Sequence, residues 1–386
     1  MAIPASESTV ALVPCASYDQ DLVDEAVATA FGLVQGTSPL ELPANGKILL
    51  KPNLLWGAEP ERAVTTHPTV FRAAIRTLRA AGYENLSFGD SPSRGSSHQA
   101  AERSALLDVA RAEGIPEEDF SQSVRVDYPA GHVARSFTLC KPVLDADAIV
   151  SLCKMKTHAL ERITGAVKNS YGFVHGGSKA AGHAAYPNAD RFGAMLVDLN
   201  KCLRPALFIM DGIVAMEGNG PASGDPVAMK VILASTDPVA LDTVFCALVN
   251  LDPNLVATNT FGQAYGLGTC RPDRIRLVTP DGPMTLEDAA ERFGNPSFKV
   301  ERRDVESNMG RALERSTRIF SRKPHIDAAR CRKCGICIDT CPVEGKALSW
   351  ANGHDRPPVY DYRRCIRCFC CQEVCPAQAI TARRGL

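Results

Sequence analysis

The chain has 386 residues, enough for two or three domains, and its 45% hydrophobic and 22% charged residues are the balance of an ordinary globular protein. Its 43 basic residues match 43 acidic ones, which argues against a nucleic-acid partner, and stretches such as Arg363-Arg364 lack the aromatic interleaving of such a module. No apolar run is long enough to span a bilayer, and the opening residues carry neither the basic region nor the apolar core of a secretory signal, so a cytoplasmic protein with no membrane partner is expected.

Over residues 1–300, short apolar runs alternate with stretches of helical spacing. Ile48-Leu49-Leu50 reads as a strand, and Val70, Phe71, Ala74, Ile75 and Leu78 then recur at helical intervals. Leu86-Ser87-Phe88 precedes a helical stretch from about His98 to Glu113. Ala148–Leu152, Ala206–Met210 and Val231–Ala234 are further buried-strand candidates, the last leading into a helix over Val239–Val249. This alternation predicts an α/β sandwich on a largely parallel sheet.

Four of these strands run into polar residues: Lys51-Pro52-Asn53; Gly89-Asp90-Ser91-Pro92; Lys154, Lys156 and His158 after a step at Cys153; and Asp211-Gly212. Ligands of parallel α/β sheets bind beyond the carboxyl ends of the strands, so four neighbouring ends would share one pocket. Singly, each is ordinary turn chemistry. Thr66-His67-Pro68 places His67 at a helix N-cap, where the positive helix end favours neutral imidazole. Thr164-Gly165-Ala166-Val167-Lys168-Asn169 reads as a turn entering a helix whose first amides are free for an anion. The small, polar stretch His175–His183 reads as a mobile lid or as a surface loop. Glu217-Gly218-Asn219-Gly220-Pro221 lacks the Rossmann spacing, so a nicotinamide dinucleotide is not expected. Cys15, Cys140, Cys153, Cys202, Cys246 and Cys270 show no ligand spacing and read as buried small side chains, with Cys153 beside Lys154 a lesser candidate for reactivity.

A charged helical linker is expected over residues 301–325. Residues 326–386 then hold nine of the fifteen cysteines. Cys331, Cys334, Cys337 and Cys341 precede Pro342, and Cys365, Cys368, Cys371 and Cys375 precede Pro376. Each run is C-x2-C-x2-C-x3-C-P, the spacing of bacterial two-cluster ferredoxins, in which the fourth cysteine serves the other cluster. One [4Fe–4S] cluster is therefore assigned to Cys331, Cys334, Cys337 and Cys375, and the second to Cys365, Cys368, Cys371 and Cys341. Zinc would call for separated cysteine pairs, and disulfides for an oxidising compartment. A module this small, with little aliphatic core, depends on its clusters as staples. Its 10 basic and 6 acidic residues leave it at +4 and the rest of the chain at −4. That excess either offsets cluster charge or docks an acidic electron carrier.

Lys51-Pro52-Asn53, Thr66-His67-Pro68, Gly89-Asp90-Ser91-Pro92, Lys154-x-Lys156-Thr157-His158, Thr164-Gly165-Ala166-x-Lys168-Asn169 and Glu217-Gly218-x-Gly220-Pro221 follow one another in that order. Together they resemble the domain of unknown function 362 family, here joined to a C-terminal bacterial-type two-[4Fe–4S] ferredoxin module. The resemblance implies an iron–sulfur protein of anaerobic bacteria or archaea and supplies no substrate. Two residues depart from the usual module: Phe369 stands where Gly335 stands in the first run, and Cys370 adds a ninth thiol. Phe369 is expected to shield its cluster from water, and Cys370 to be a bystander.

The reading is an iron–sulfur oxidoreductase. A redox partner protein, a ferredoxin or flavodoxin-like carrier, passes electrons through the two [4Fe–4S] clusters to a small anionic ligand, or to an additional organic cofactor, in the α/β domain. Lys51, Asn53, Ser91, Thr164, Gly165, Lys168 and Asn169 are expected to bind it, and Lys154, Lys156, His158, Asp90, His67 and Asp211 to serve catalysis. Two rivals use the same parts: a non-catalytic carrier whose α/β domain docks a partner, and an accessory protein that reduces or assembles a client enzyme's metallocofactor.

Overall fold

The computed structural model describes residues 7–303, 322–351 and 353–384. The α/β domain contains Ser8–Pro14 (β1), Ile48–Pro52 (β2), Leu86–Phe88 (β3), a separate antiparallel pair Ser123–Asp127 and Ser136–Cys140 (β4, β5), Ala148–His158 (β6), Arg162–Thr164 (β7), Leu207–Glu217 (β8), Asp225–Ser235 (β9), Ile275–Thr279 (β10) and Gly282–Met284 (β11). Nine strands form one sheet in the order β11-β10-β1-β9-β8-β6-β2-β3, with β7 paired to β6. Contacts β3–β2, β2–β6, β6–β8 and β1–β10 are parallel, whereas β9 runs antiparallel to both neighbours.

Strand alternation divides the core. Ile48 and Leu50 face the helices Gln20–Gln35 and Pro68–Ala80, and Leu49 faces the helix Ala189–Leu203 on the other side. Helix Pro68–Ala80 begins where expected. His67 caps it, Pro68 takes the first turn, and Val70, Phe71, Ala74, Ile75 and Leu78 are all buried. Each large apolar side chain so removed from water contributes roughly 1.5–3 kcal/mol.

Four local expectations change. Lys154, Lys156 and His158 lie within β6 rather than beyond it, because the strand continues into a hairpin with β7. Asp211 sits in the middle of β8, which continues as a long arm against β9. The helix expected over His98–Glu113 is two helices, Ser97–Arg103 and Leu106–Glu113, broken by the left-handed Ala105 at φ 58°. The stretch expected as a lid or loop is a helix, Gly176–Ala185, seated by His183, which is buried and stacked on Phe192.

In the C-terminal unit Arg322–Ile326 (β12) pairs with Ile380–Arg384 (β15), and Leu348–Ser349 (β13) with Val359–Tyr360 (β14). The unit therefore opens at Arg322, inside the expected linker, because β12 must close against its final strand. The rest of that linker, from 304 to 321, lies outside the described residues. Both cysteine runs share a backbone path: Lys333 and Gly335 in the first, Arg367 and Phe369 in the second, all have positive φ, at 57°, 78°, 60° and 62°.

Candidate functional site

Strands β8, β6, β2 and β3 are adjacent, so the polar residues expected at their ends do meet. They form two clusters rather than one.

The first cluster is a closed network. Lys154 Nζ lies 2.7 Å from Asp211 Oδ2 and 2.8 Å from the Tyr18 hydroxyl, with Lys154 and Asp211 fully buried and Tyr18 partly so. His67 stacks on Tyr18 with ring centroids 3.5 Å apart, and its amide donates to Asp211. Burial lowers the Lys154 pKa, opposed by Asp211, and lowers that of His67 to about 4. The neutral imidazole is as expected, but Lys154 and Asp211 satisfy one another, the His67 ring is engaged by Thr69, and none of the three lines the cavity described next.

The second cluster surrounds a partly open cavity of about 100 Å³. Its inner wall is a lattice of mutual contacts. Lys51 Nζ contacts Asn169 Oδ1 at 2.8 Å and Asp90 Oδ1 at 3.1 Å. Asn53 Nδ2 donates to the same Asn169 oxygen at 2.9 Å, and Lys156 Nζ donates to Asn53 Oδ1 at 2.7 Å and to the Val64 carbonyl at 2.6 Å. Asp90 also accepts the Leu54 amide. Gly172 is required here, since a Cβ would fall 1.9 Å from Asp90 Oδ1 and 2.5 Å from Lys51 Nζ. Burial lowers the pKa of Lys51 and takes that of Lys156 well below an ordinary lysine, where Lys168 adds to the effect.

The remaining wall comes from segments distant in sequence. Ser91 and Ser93 follow β3, Thr164 ends β7, and Lys168 stands on the short helix Ala166–Asn169. Lys179 and His183 reach down from helix Gly176–Ala185. Burial lowers Lys179 to about 8 and His183 to about 4. The expected anion site on the amides after Gly165 is absent for a definite reason: Asp242 takes the Ala166 and Val167 amides at 2.6 and 3.1 Å. Gly165 allows this approach, as a Cβ there would meet Asp242 at 1.9 Å. Burial raises Asp242 to about 7.

The C-terminal unit closes the cavity with Thr340, Cys370, Glu373 and Val374. Glu373 Oε1 lies 2.7 Å from His158 Nε2. Trp56 donates to the Glu373 carbonyl, and Gln372 donates to the carbonyls of Asn219 and Gly220. Thus the Glu217–Pro221 segment, no dinucleotide loop, is a docking edge for the helix Cys370–Glu373. Burial would raise Glu373, but the charge of Lys168 and the His158 contact outweigh it and hold the carboxylate below its ordinary range. Cys370, read from sequence as a bystander, faces the cavity and is buried.

The cysteine runs fit the assigned clusters. Cys331, Cys334, Cys337 and Cys375 line one hollow, sleeved by Ile326, Ile336, Pro358, Ala379 and Ile380. Among the described residues no three such side chains converge to hold a single metal ion; these four instead stand around a space, as corner ligands of a cluster do. Cys341, Cys365 and Cys371 share the small core of the unit, and Cys365 is electrostatically coupled to Cys368 and Cys341. Backbone amides of Lys333, Ala347 and Ala379 point at Cys331, Cys341 and Cys375 at 3.3–3.4 Å. Such N–H···S contacts stabilise thiolate-bound clusters and tune them. Cys153 is fully buried, which pushes its thiol well up and removes the case for reactivity.

Sequence reading missed Lys179, His183, Thr340 and Glu373 as site residues. Lys179 and His183 lay in a stretch whose glycines hid its helix. Thr340 and Glu373 gave no sequence signal of their own, because docking between units places them.

A family model described as domain of unknown function (DUF362) matches residues 48–247, and one described as a 4Fe-4S dicluster domain matches residues 323–376. The thylakoid-associated protein sll1697 of Synechocystis sp. is 36% identical over 279 residues, covering 70% of this chain and 83% of its own length. Among solved structures, the lactate racemase apoprotein from Thermoanaerobacterium thermosaccharolyticum aligns with 62% of this chain and 56% of its own at 14% identity and a TM-score of 0.39. A Thermotoga maritima protein aligns with 57% of this chain and 56% of its own, at 10% identity and a TM-score of 0.32. Among the described residues no helix is long and apolar enough to cross a membrane.

Proposed function

Because the chain belongs to the domain of unknown function 362 family and carries a C-terminal 4Fe-4S dicluster domain, we propose that it is an oxidoreductase whose lysine-lined cavity binds the anion it reduces or oxidises. Two [4Fe–4S] clusters, when bound, supply one-electron transfer between an external ferredoxin- or flavodoxin-like carrier and that ligand.

One observation carries this reading. The cavity wall is shared between Lys51, Lys156, Lys168 and Lys179 of the α/β domain and Thr340 and Cys370 of the cluster module. Thr340 adjoins the cluster ligand Cys341, and Cys370 lies between the ligands Cys368 and Cys371. The other ligand set includes the exposed Cys334, beside exposed Arg332 and Lys333. On this reading the chain neighbours of one ligand set line the cavity and the other set reaches solvent, where an acidic carrier would be attracted.

Within the cavity, Lys51 and Asp90 fix the floor. Lys179, lowered by burial to about 8, and Lys156, lowered well below an ordinary lysine, are placed to give or take the proton that accompanies reduction of an organic group. Glu373, held by His158, closes the wall on the side of the cluster module.

The test begins with anaerobically purified protein. Mass spectrometry of the molecules released on denaturation is expected to find a small anion in stoichiometric amount. Added back to dithionite-reduced protein, it is expected to re-oxidise the clusters. A released anion that leaves the reduced clusters unchanged would count against the reading.

A further inference from the structure

Resting on that reading, we propose that the cavity is a receptor for a single oxyanion group (carboxylate, phosphate or sulfate) gripped by Lys168, Thr164 and His183. The inner wall is held by its own contacts, Asp90 Oδ1 only through the Lys51 ion pair at 3.1 Å, whereas these three offer groups that it does not engage. Thr164 Oγ1 and His183 Nδ1 are buried atoms with no hydrogen-bond partner. Lys168 is 9% exposed and has no hydrogen-bond or ion-pair partner among the described residues. Thr164 and His183 are 3% and 4% exposed.

A buried polar atom left unpartnered costs roughly 1–3 kcal/mol. Two of them, with the Lys168 ammonium beside the same small space, form a site awaiting a complement. An ammonium, a hydroxyl and an imidazole N–H are all able to donate, so the complement is a group rich in acceptors. The two carboxylates in the lining do not saturate it: Asp90 is held by Lys51 and the Leu54 amide, and Glu373 accepts from His158 and feels the Lys168 charge without pairing to it. Charge-assisted hydrogen bonds from a buried lysine favour an anion over a neutral carbonyl.

Size narrows the class. At about 100 Å³ the cavity falls short of the roughly 300–1,000 Å³ that drug-sized ligands occupy, so no flavin ring fits inside it. Ser91, Ser93 and Gly176 also line an outer cleft of about 660 Å³. The oxyanion is therefore either a free small anion or the acid head of a molecule whose body lies in that cleft.

The experiment is calorimetric titration of the full-length, cluster-loaded protein, without reductant, using inorganic phosphate, acetate and glycerol 3-phosphate. Saturable binding of at least one probe is expected. Lys168→Met should weaken it roughly ten- to hundredfold, as expected for a lost charged hydrogen bond. Thr164→Val should weaken it several-fold while keeping side-chain volume, and both variants should keep the cluster absorbance. Equal affinity for phosphate and glycerol 3-phosphate identifies a free anion. Tighter binding of the ester, lost on Ser93→Trp, identifies a head group. No saturable binding of any probe, or full affinity in both variants, overturns the proposal. Anion binding without any response of the reduced clusters would leave the receptor standing and sink the redox reading instead.

Discussion

His158 Nε2 lies 2.7 Å from Glu373 Oε1, so one hydrogen bond ties strand β6 to the cluster module at the cavity wall. The Nδ1 of the same ring accepts the amides of Leu160 and Glu161 at 3.1 and 3.0 Å. The ring proton therefore sits on Nε2 and is donated to the carboxylate. His158→Phe leaves a buried carboxylate without its donor and is expected to cost roughly 1.5–3 kcal/mol. Thermal unfolding checks the loss, and His158→Gln, which keeps an N–H at a similar reach, should recover part of it. Equal midpoints for wild type and His158→Phe would show that the contact does not hold the two units together.

Glu161 is a buried carboxyl with neither oxygen bonded, and burial raises its pKa to about 8. A folded pKa above the unfolded value gives stability that is fully present below about 4.5 and is lost as pH rises through 8. Glu161→Gln cannot ionise. Its stability relative to wild type should rise with pH by up to about 1.4 kcal/mol per unit between those values. Urea unfolding at pH 5, 6.5 and 8 reads this directly, and a pH-independent difference would contradict it.

Cys370 faces the cavity while its neighbour Cys371 is an assigned cluster ligand. Cys370→Ser is expected to keep all its iron, whereas Cys371→Ser should lose about half, since one of two equal clusters goes with it. Iron and sulfide assays after anaerobic purification separate the two. Half-loss in Cys370→Ser would reassign the ligand.

Phe369 is buried with φ 62°, a left-handed backbone that suits the Gly335 standing at the same place in the first run. Phe369→Gly should relieve about 1–2 kcal/mol of backbone strain but remove an aromatic worth roughly 3–5 kcal/mol of packing. The net expectation is a less stable protein. Water admitted to the adjacent cluster favours its more highly charged reduced form, so that potential should rise. An unchanged potential would mean that Phe369 is not the shield.

Much of this arrangement was legible beforehand, for identifiable reasons. The cysteine spacing is local, so it could point to a 4Fe-4S dicluster domain before any fold was known. The parallel sheet followed from apolar runs broken by helical spacing, and adjacency of β8, β6, β2 and β3 brought the polar residues together. Which lysines line the cavity was not legible. Lys154 and Lys156 are two residues apart on one strand, and a register shift between them sends one to Asp211 and the other to Asn53. Asp242 was equally hidden, because its hold on the amides after Gly165 spans some 75 residues. Glu373 entered the site only through docking of its module, which no sequence period encodes.

The central claim is that the lysine cavity and the cluster assigned to Cys341, Cys365, Cys368 and Cys371 act on one another. The most direct measurement is a potentiometric titration followed by electron paramagnetic resonance, with and without saturating phosphate. A bound anion disfavours adding negative charge nearby, so one cluster's midpoint should fall and the other should stay fixed. The shift should vanish in Lys168→Met. Bound phosphate that moves neither midpoint would contradict the account.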